Sequence, residues 1–519
     1  MKILSILFFG LLSLLLVTCS VSANNILILE NGEKQFQGLE KDGEVYIPFS
    51  YLSDKYNIYG ENKDDTFYLS HSNRNLIPFE PYQPQGSYLN FQEKQIQLRS
   101  TIVMDSNGVP QAKYKWGLEY NPTTIAQYAL QLFGQTLDSS GLELIPNSAD
   151  WVLYSGDLNS TNVSNMYDED LKKEVKRFES LDLTHGYSLF DKGLLLPVLK
   201  SNIVSWKFKP TKNFRFYVHV NTSHGIRYIA YYDGNDGNDT PTVNGNYIYI
   251  PIKSQPHSWS TIVRNFEKDL HIADDSLEMG SVVNFSVRGN ISLSDIKIYN
   301  QEDFSSFYTQ NDWLADNQDY RGGWPYNFDF LFFADRVETL QSGWYSAIAQ
   351  GTAISALTRA YQISNNKKYI ESAKSGIHLY KTPVAEGGIL RYWQENKDFP
   401  FYEEYPTTPA SHVLNGYQFS LLGAYDLWQA TGIEEYKLVY KNGIKTLTEI
   451  MPLYDTGHRT NYDLTHFTAQ SYPNHASWHY HTLHIDMMKA LNHIEQVNPY
   501  IDTIERWEGY LKGNNVSRD

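Results

Sequence analysis

The hydrophobic period of this chain changes near Asp303, and that change limits what it can fold into more than any other feature. Before it, apolar residues alternate or come in short runs between turn residues. After it, they recur every three or four positions. Val204 to Phe208, Phe214 to Val220, Tyr228 to Tyr232, Tyr247 to Ile252, Val282 to Val287 and Ile296 to Tyr299 read as strands, and Asp233-Gly234-Asn235-Asp236-Gly237-Asn238 is turn chemistry. Strands at such short intervals predict an antiparallel β-sandwich over residues 171–302 rather than a βαβ fold. Beyond it, Trp344 to Ile363 is rich in small residues that allow close helix packing, and Leu414, Tyr417, Leu421, Ala424 and Trp428 share one face of a helix that Gly432 can end. Further helices follow at Tyr436 to Ile450, Trp478 to Val497 and Ile501 to Leu511. About seven helices with short connections predict antiparallel hairpins over 303–519, closed as a bundle or as an α/α toroid.

Residues 24–170 read as short strands and turns with one helix. Glu44 to Phe49 and Thr66 to Leu69 are strand-like, and Tyr88 to Trp116 reads as a long hairpin in which Gln95-Ile96-Gln97-Leu98-Arg99 alternates before a turn at Asp105-Ser106-Asn107-Gly108. Asn121-Pro122 supplies an N-cap and a first-turn proline for a helix reaching about Phe133. The fold class expected is therefore multidomain α+β: an N-terminal β-hairpin domain, an antiparallel β-sandwich and a helical C-terminal domain.

Lys2, the apolar run Ile3 to Val17 and Val21-Ser22-Ala23 have the charged start, apolar centre and small-residue cleavage site of a secretory signal. Residues 1–23 are read as a cleaved signal peptide, and the protein as secreted or periplasmic, ahead of a lipidated Cys19 or a retained signal anchor. Cys19 is the only cysteine in the chain, so the mature protein would hold no disulfide. A formal net charge of −16 excludes nucleic acid as a partner by overall field, and an acidic polymer would have to bind through a local basic groove. Lys94, Arg99, Lys113 and Lys115 on the hairpin's polar face offer one, with a solvated strand face as the alternative. Arg99 and Lys115 are taken as its substrate contacts. Aromatic residues make up 15% of the chain, which favours carbohydrate recognition, since flat rings stack on sugars.

Three polar and aromatic clusters lie between the C-terminal helices: Glu403-Glu404-Tyr405, Tyr454 to His466, and Asn474 to His484. Pro406 and Pro409 stiffen the first, which is either an active-site loop or a structural approach to the next helix. The third carries four histidines in ten residues, but no HExxH occurs, and a zinc site is the weaker reading. No GxSxG, Walker or dinucleotide motif is present. A carboxylate with several tyrosines suits removal of a weakly acidic proton, such as C5–H of a uronic acid, whose carboxylate must be neutralised as it becomes an enolate. Tyrosine can serve as acid and, where cations depress its pKa, as base.

From Val45 to Leu511 the chain resembles the D-glucuronyl C5-epimerases of heparan sulfate and heparosan metabolism. The resemblance rests on Tyr46-Ile47-Pro48-Phe49-Ser50, Trp116-Gly117, Ile125-Ala126-Gln127-Tyr128, Gly322-Gly323-Trp324-Pro325, Gly343-Trp344-Tyr345-Ser346-Ala347, Glu403-Glu404-Tyr405-Pro406-Thr407-Thr408-Pro409, Pro452 to Gly457, Tyr462-Asp463-Leu464 and Tyr480-His481-Thr482. It implies a C-terminal α/α toroid, a homodimer in which the hairpin helps close the cleft, and inversion of D-glucuronate to L-iduronate within a heparosan-like polysaccharide. It assigns Glu404 and Tyr480 as an opposed proton-transfer pair, and Tyr405 and Tyr462 as enolate-stabilising or proton-relaying groups. Asn415, Asn474, His481 and Arg99 would bind the chain. No cofactor is required for proton exchange. Ser294-Asp295-Ile296-Lys297-Ile298 resembles the closing strand of carbohydrate-binding sandwiches that hold a structural calcium. The family usually has an arginine where this chain has Thr465, and Arg459 is the expected substitute for the carboxylate contact. Family members in animals are Golgi membrane proteins, so the apparent cleavable signal is a second departure. The alternatives are a polysaccharide lyase, in which the same carbanion expels the 4-linked sugar, and a non-catalytic carbohydrate-binding protein.

Overall fold

A computed structural model describes residues 25–30, 35–41, 43–48, 58–63, 66–71, 81–89, 91, 95–144, 150–155, 160–189, 202–234, 240–333 and 336–516. The signal peptide, Phe49, Ser50, Lys94 and the centre of the Asp233–Asn238 turn lie outside these residues. Within them the protein is mixed α+β, as expected, and no sheet closes on itself.

The strands expected between 171 and 302 form, but they join into one hydrogen-bonded sheet of 11 strands that begins at Leu142. Val204–Phe208 and Phe214–Val220 are parts of one strand, Ile203–Thr222. Val282–Val287 and Ile296–Tyr299 are likewise parts of Met279–Tyr299. These two long strands pair antiparallel along their length with register shifts, one of them between Pro210 and Phe214. The shift bends the strand where proline cannot donate to the ladder, so the sequence reads as two strands where the backbone makes one. One pair, Gly225–Asp233 with Tyr247–Ile252, runs parallel. Trp206, Phe216, Tyr231 and Phe285 fill the core over this sheet.

In the front part, a three-stranded meander runs through Ile102–Met104, Pro110–Tyr114 and Gly117–Tyr120. Its first turn is as read: Asp105 Oδ1 accepts the N–H groups of Asn107 and Val109, each at 2.8 Å. The Gln95–Arg99 strand is not formed. Ile96–Leu98 is a single 3₁₀ turn, because Ile96 is buried and its N–H donates to Gln131 Oε1 at 2.8 Å, which pulls the segment onto the following helix. That helix, α1 (Pro122–Ser139), starts where expected, with the Asn121 side chain accepting from Thr124 N–H at 3.0 Å. It runs six residues past Phe133.

Seven helices of ten residues or more follow Asp303 among the described residues: α2 (Ser305–Asp316), α3 (Ala347–Ser364), α4 (Lys367–Gly376), α5 (Leu414–Thr431), α6 (Glu434–Ile450), α7 (Trp478–Glu495) and α8 (Asn498–Leu511). The small residues of α3 do what small residues allow. A Cβ on Gly351 would lie 2.5 Å from the Phe419 carbonyl, and one on Gly423 would lie 2.4 Å from the Gly351 carbonyl. Only glycine lets α3 and α5 approach this closely, and that approach sets the first turn of α5 beside the start of α3. A single large core runs through these helices and takes in Tyr82, Tyr88, Leu89 and Phe91 from the front part.

Candidate functional site

The loop between the short strand Pro400–Tyr402 and α5 carries Glu403, Glu404 and Tyr405, and its two carboxylates point in opposite directions. Glu403 is fully buried behind the loop. Its Oε2 accepts the N–H of His412 at 3.0 Å, and its Oε1 lies 2.8 Å from His412 Nδ1. This closes residues 403–412 into a ring. Backbone bonds then tie the ring into the fold: Ala347 N–H to Glu403 O at 2.9 Å, Leu414 N–H to Tyr462 O at 3.1 Å, and Leu464 N–H to Ser411 O at 3.0 Å. The start of α3, the start of α5 and the Tyr462 segment are thereby laced together around Glu404.

Glu404 faces a cavity of about 330 Å³. Its Oε2 accepts from Asn415 Nδ2 at 3.1 Å. Burial pushes its pKa up to about 7. Hydrogen bonds from the Tyr405 hydroxyl, the Gly416 N–H and Asn415 work against that rise, and the charge of Glu403 adds to it. Tyr405 packs between Phe332, 4.3 Å away between ring centroids, and Phe330, 5.4 Å away. Tyr462 is hydrogen-bonded to Tyr405 and meets Tyr480 edge to face at 4.7 Å. Tyr480 stands near the N-terminus of α7, where the Ser477 hydroxyl caps the helix. Glu404, Tyr405, Tyr462 and Tyr480 thus form one connected network, although 76 positions of sequence separate its ends. All three phenols are pushed up, first by burial and then by the nearby Glu404 charge. No cation depresses a tyrosine here, so the phenols are proton donors at neutral pH and Glu404 is the group suited to accept.

The other expected residues divide. Asn415 and Arg99 line the cavity, and among the described lining residues Arg99 is the only cation and Glu404 the only carboxylate. Asn415 Oδ1 has no protein partner and remains an acceptor. Lys115 sits exposed on the turn between two hairpin strands and does not line the cavity. Arg459 is half-buried, its carbonyl accepts the Thr456 hydroxyl at 2.7 Å, and its charge acts on His475 rather than on the cavity. Asn474 donates to Asp463 Oδ2 at 2.6 Å. His481 is turned into the core: its Nδ1 accepts the Thr460 N–H at 3.2 Å, and its Nε2 lies 3.1 Å from the Trp507 carbonyl. On α7 the positions 479, 480 and 483 face the cavity while 481 and 484 face Thr460. Helical spacing alone separates these two sets.

Reading by motif missed His479, Tyr114, Thr123, Gln127, Tyr326 and Phe419, all of which line the cavity. Thr123 and Gln127 are four apart on α1 and so share a face, a signal present in the sequence. Tyr326 has no such signal; its hydroxyl meets Thr123 Oγ1 at 2.7 Å across 203 positions. At Thr465, the position of the missing arginine, the hydroxyl donates to Asp463 Oδ1 at 2.6 Å and accepts from Arg336 Nη1 at 3.3 Å.

Neither metal reading fits the residues present. Among the described residues no three histidine, cysteine, aspartate or glutamate side chains gather closely enough to hold an ion. Asp295 is ion-paired to Lys173.

Gly416 is a sensitive point. A Cβ there would lie 2.3 Å from Glu404 Oε2 and 2.4 Å from Glu404 Cβ. Gly416→Ala must therefore displace the carboxylate. A shift of about 1 Å in a reacting group can cost on the order of 100-fold in rate. The variant is expected to show that scale of loss in kcat/KM with its melting temperature little changed, as steady-state kinetics beside calorimetry would report.

Comparison with known proteins follows the same lines. Residues 318–509 match the family model described as D-glucuronyl C5-epimerase C-terminus. The D-glucuronyl C5-epimerase of Caenorhabditis elegans is 30% identical over 562 residues, covering 95% of this chain and 89% of the relative. An uncharacterized protein of Methanocaldococcus jannaschii is 28% identical over 185 residues, covering 36% of this chain and 56% of its own. Among solved structures, a family 11 carbohydrate-binding module from Clostridium thermocellum is 14% identical and covers 30% of this chain and 94% of that one. Its TM-score of 0.18 is too low to carry an argument.

Proposed function

The chain belongs to the D-glucuronyl C5-epimerases, and is thus an isomerase; from that premise we propose that it inverts C5 of D-glucuronate to L-iduronate within a heparosan-like polysaccharide. The observation that supports this most is the meeting of Glu404, Tyr405, Tyr462 and Tyr480 at one cavity. In this reading Glu404 takes the C5 proton, and the electron pair left on C5 delocalises into the substrate carboxylate as an enolate. Tyr480 returns a proton to the opposite face of C5, which inverts the centre. Tyr405 and Tyr462 steady the enolate as hydrogen-bond donors, and their connection from Glu404 to Tyr480 is a route for restoring both groups to their starting states. Asn415 and Arg99 bind the chain. No metal or redox cofactor has a step in this chemistry.

The same reading has the helices after Asp303 closing as an α/α toroid beside a β-sandwich, the enzyme acting as a homodimer, and residues 1–23 directing it to a secreted or periplasmic location. Incubation with heparosan in heavy water tests the function. Deuterium at C5, iduronate in the product and unchanged chain length are expected. Shortened chains with ultraviolet-absorbing ends would instead mean a lyase, and glycan binding with no exchange would mean a non-catalytic binder.

Because Glu404 must be ionised to accept the proton and its pKa lies at about 7, kcat/KM for exchange is expected to fall as pH drops through 7. The fall approaches tenfold per pH unit below that point. A pH profile of exchange in the free-enzyme regime checks this, and a flat profile between pH 5 and 7 would remove Glu404 as the base.

A further inference from the structure

We infer that Arg336 is the cation that grips the carboxylate of the reacting uronate, an inference that rests on the uronate reading above. Its place in the fold carries the argument. The Arg336 guanidinium lies 5.0 Å from the Phe333 ring centre, Phe333 packs on Phe332 at 4.5 Å, and Phe332 stacks on Tyr405 at 4.3 Å and approaches Tyr462 at 6.3 Å. Its Nη1 donates to Thr465 Oγ1 at 3.3 Å, three residues after Tyr462. The Thr465 hydroxyl is already committed as a donor to Asp463, so it can only accept from Arg336, and this fixes the guanidinium's orientation. Two residues on, Glu338 N–H bonds Thr408 O at 2.9 Å, which ties this segment to the Glu404 loop. The guanidinium therefore adjoins the tyrosine wall and is held by one edge.

The chemistry requires a cation there. Negative charge develops on the uronate carboxylate as the C5 proton leaves, in a site that already holds Glu404 and three protonated phenols. Stabilising that charge is the largest contribution a site of this kind makes. The other nearby arginines are engaged or directed elsewhere. Arg391 donates to Thr407 O at 2.7 Å and lies 3.4 Å from Glu403, Arg459 faces His475, and Arg99 approaches from the hairpin wall. Arg336 has no ion pair among the described residues, and its planar fork leaves donors for two carboxylate oxygens at once. Phe332 and Arg336 place the carboxylate beside Tyr405 and Tyr462, the donors that the enolate needs.

The competing account is structural: Arg336 would merely offset the buried charge of Asp463. The two differ in what substrate sees. Binding of heparosan and of its methyl-esterified, uncharged counterpart would be measured for wild type, Arg336→Ala and Arg336→Lys, with heavy-water exchange and melting temperature alongside. Arg336→Ala is expected to weaken heparosan binding at least tenfold, to leave the ester nearly unaffected, and so to erase the preference for the acid. Arg336→Lys, with charge but no fork, is expected to recover part of it. Equal loss for acid and ester, or no loss for either, overturns the inference. If the alanine variant does not fold, a lysine variant equal to wild type overturns it as well. Wild-type enzyme that exchanges no C5 proton would fail the uronate reading itself, independently of Arg336.

Discussion

Glu404→Gln is expected to lower the rate of C5 proton exchange by about a thousandfold, within the range that removal of a positioned general base produces. The substitution keeps the shape of the side chain and can still accept from Asn415 Nδ2, so the geometry of the loop should survive. What it removes is the only carboxylate among the described cavity-lining residues. The tyrosines cannot stand in for it, since burial and the Glu404 charge push their pKa values up. Stability provides the control. The folded state holds the Glu404 proton up to a pH of about 7, whereas an unfolded glutamate loses it near its model value of 4.5. Between these values the native state binds more protons than the unfolded one, so this group's contribution to stability declines as pH rises from 4.5 to 7 and stays diminished above. The glutamine variant lacks that decline, and its melting temperature at pH 8 should equal or exceed that of wild type. A variant that is inactive and also markedly less stable at pH 8 would point to a structural role instead.

The second large effect concerns stability. Arg359 on α3 and Asp426 on α5 form a fully buried ion pair at 2.7 Å. The guanidinium also donates to the carbonyls of Gly86 at 2.9 Å and Gln83 at 3.0 Å, while the Tyr82 hydroxyl donates to both Asp426 oxygens at 2.7 and 2.8 Å. Four charge-assisted contacts thus bind residues 82–86 to the α3–α5 crossing. Removing one partner of a buried pair leaves an uncompensated charge, at a cost of about 3–5 kcal/mol. Arg359→Met is expected to lose about that much in urea unfolding and to expose the Tyr82–Phe91 segment to hydrogen exchange first. The double variant Arg359→Met/Asp426→Leu should recover a large share, because neither charge is then stranded. If the double variant is as unstable as the single one, the loss lies in packing rather than in charge.

Much of the site was legible residue by residue and little of it as an arrangement. Glu404, Tyr405, Tyr462 and Tyr480 stood out because carboxylate and phenol clusters between helices are chemically unusual, and all four share the network. His481 and Asn474 belonged to the same clusters and yet turn away from the cavity, since side-chain direction on a helix or in a turn depends on which neighbours need hydrogen bonds. Thr460 and Trp507 claim His481, and Asp463 claims Asn474. Lys115 and Arg459 were charges in suggestive places, but charge says nothing about reach. The Gln95–Arg99 alternation failed as a strand because a single buried contact, Ile96 with Gln131, outweighs a local preference of order 1 kcal/mol.

By itself, the sequence determined where the period changes from two to three and four, where α1 begins and α5 ends, and which residue types could move a weakly acidic proton. Those properties are local: they follow from capping, spacing and side-chain chemistry within a few turns of chain. Only the tertiary structure decided that Glu404 would be buried enough to hold its proton to about pH 7, that Tyr480 would stand beside Tyr462, and that Arg336 would reach Thr465 from 129 positions away. Burial and proximity are properties of packing, set by the α3–α5 crossing and the ring around Glu403, and no spacing along the chain encodes them.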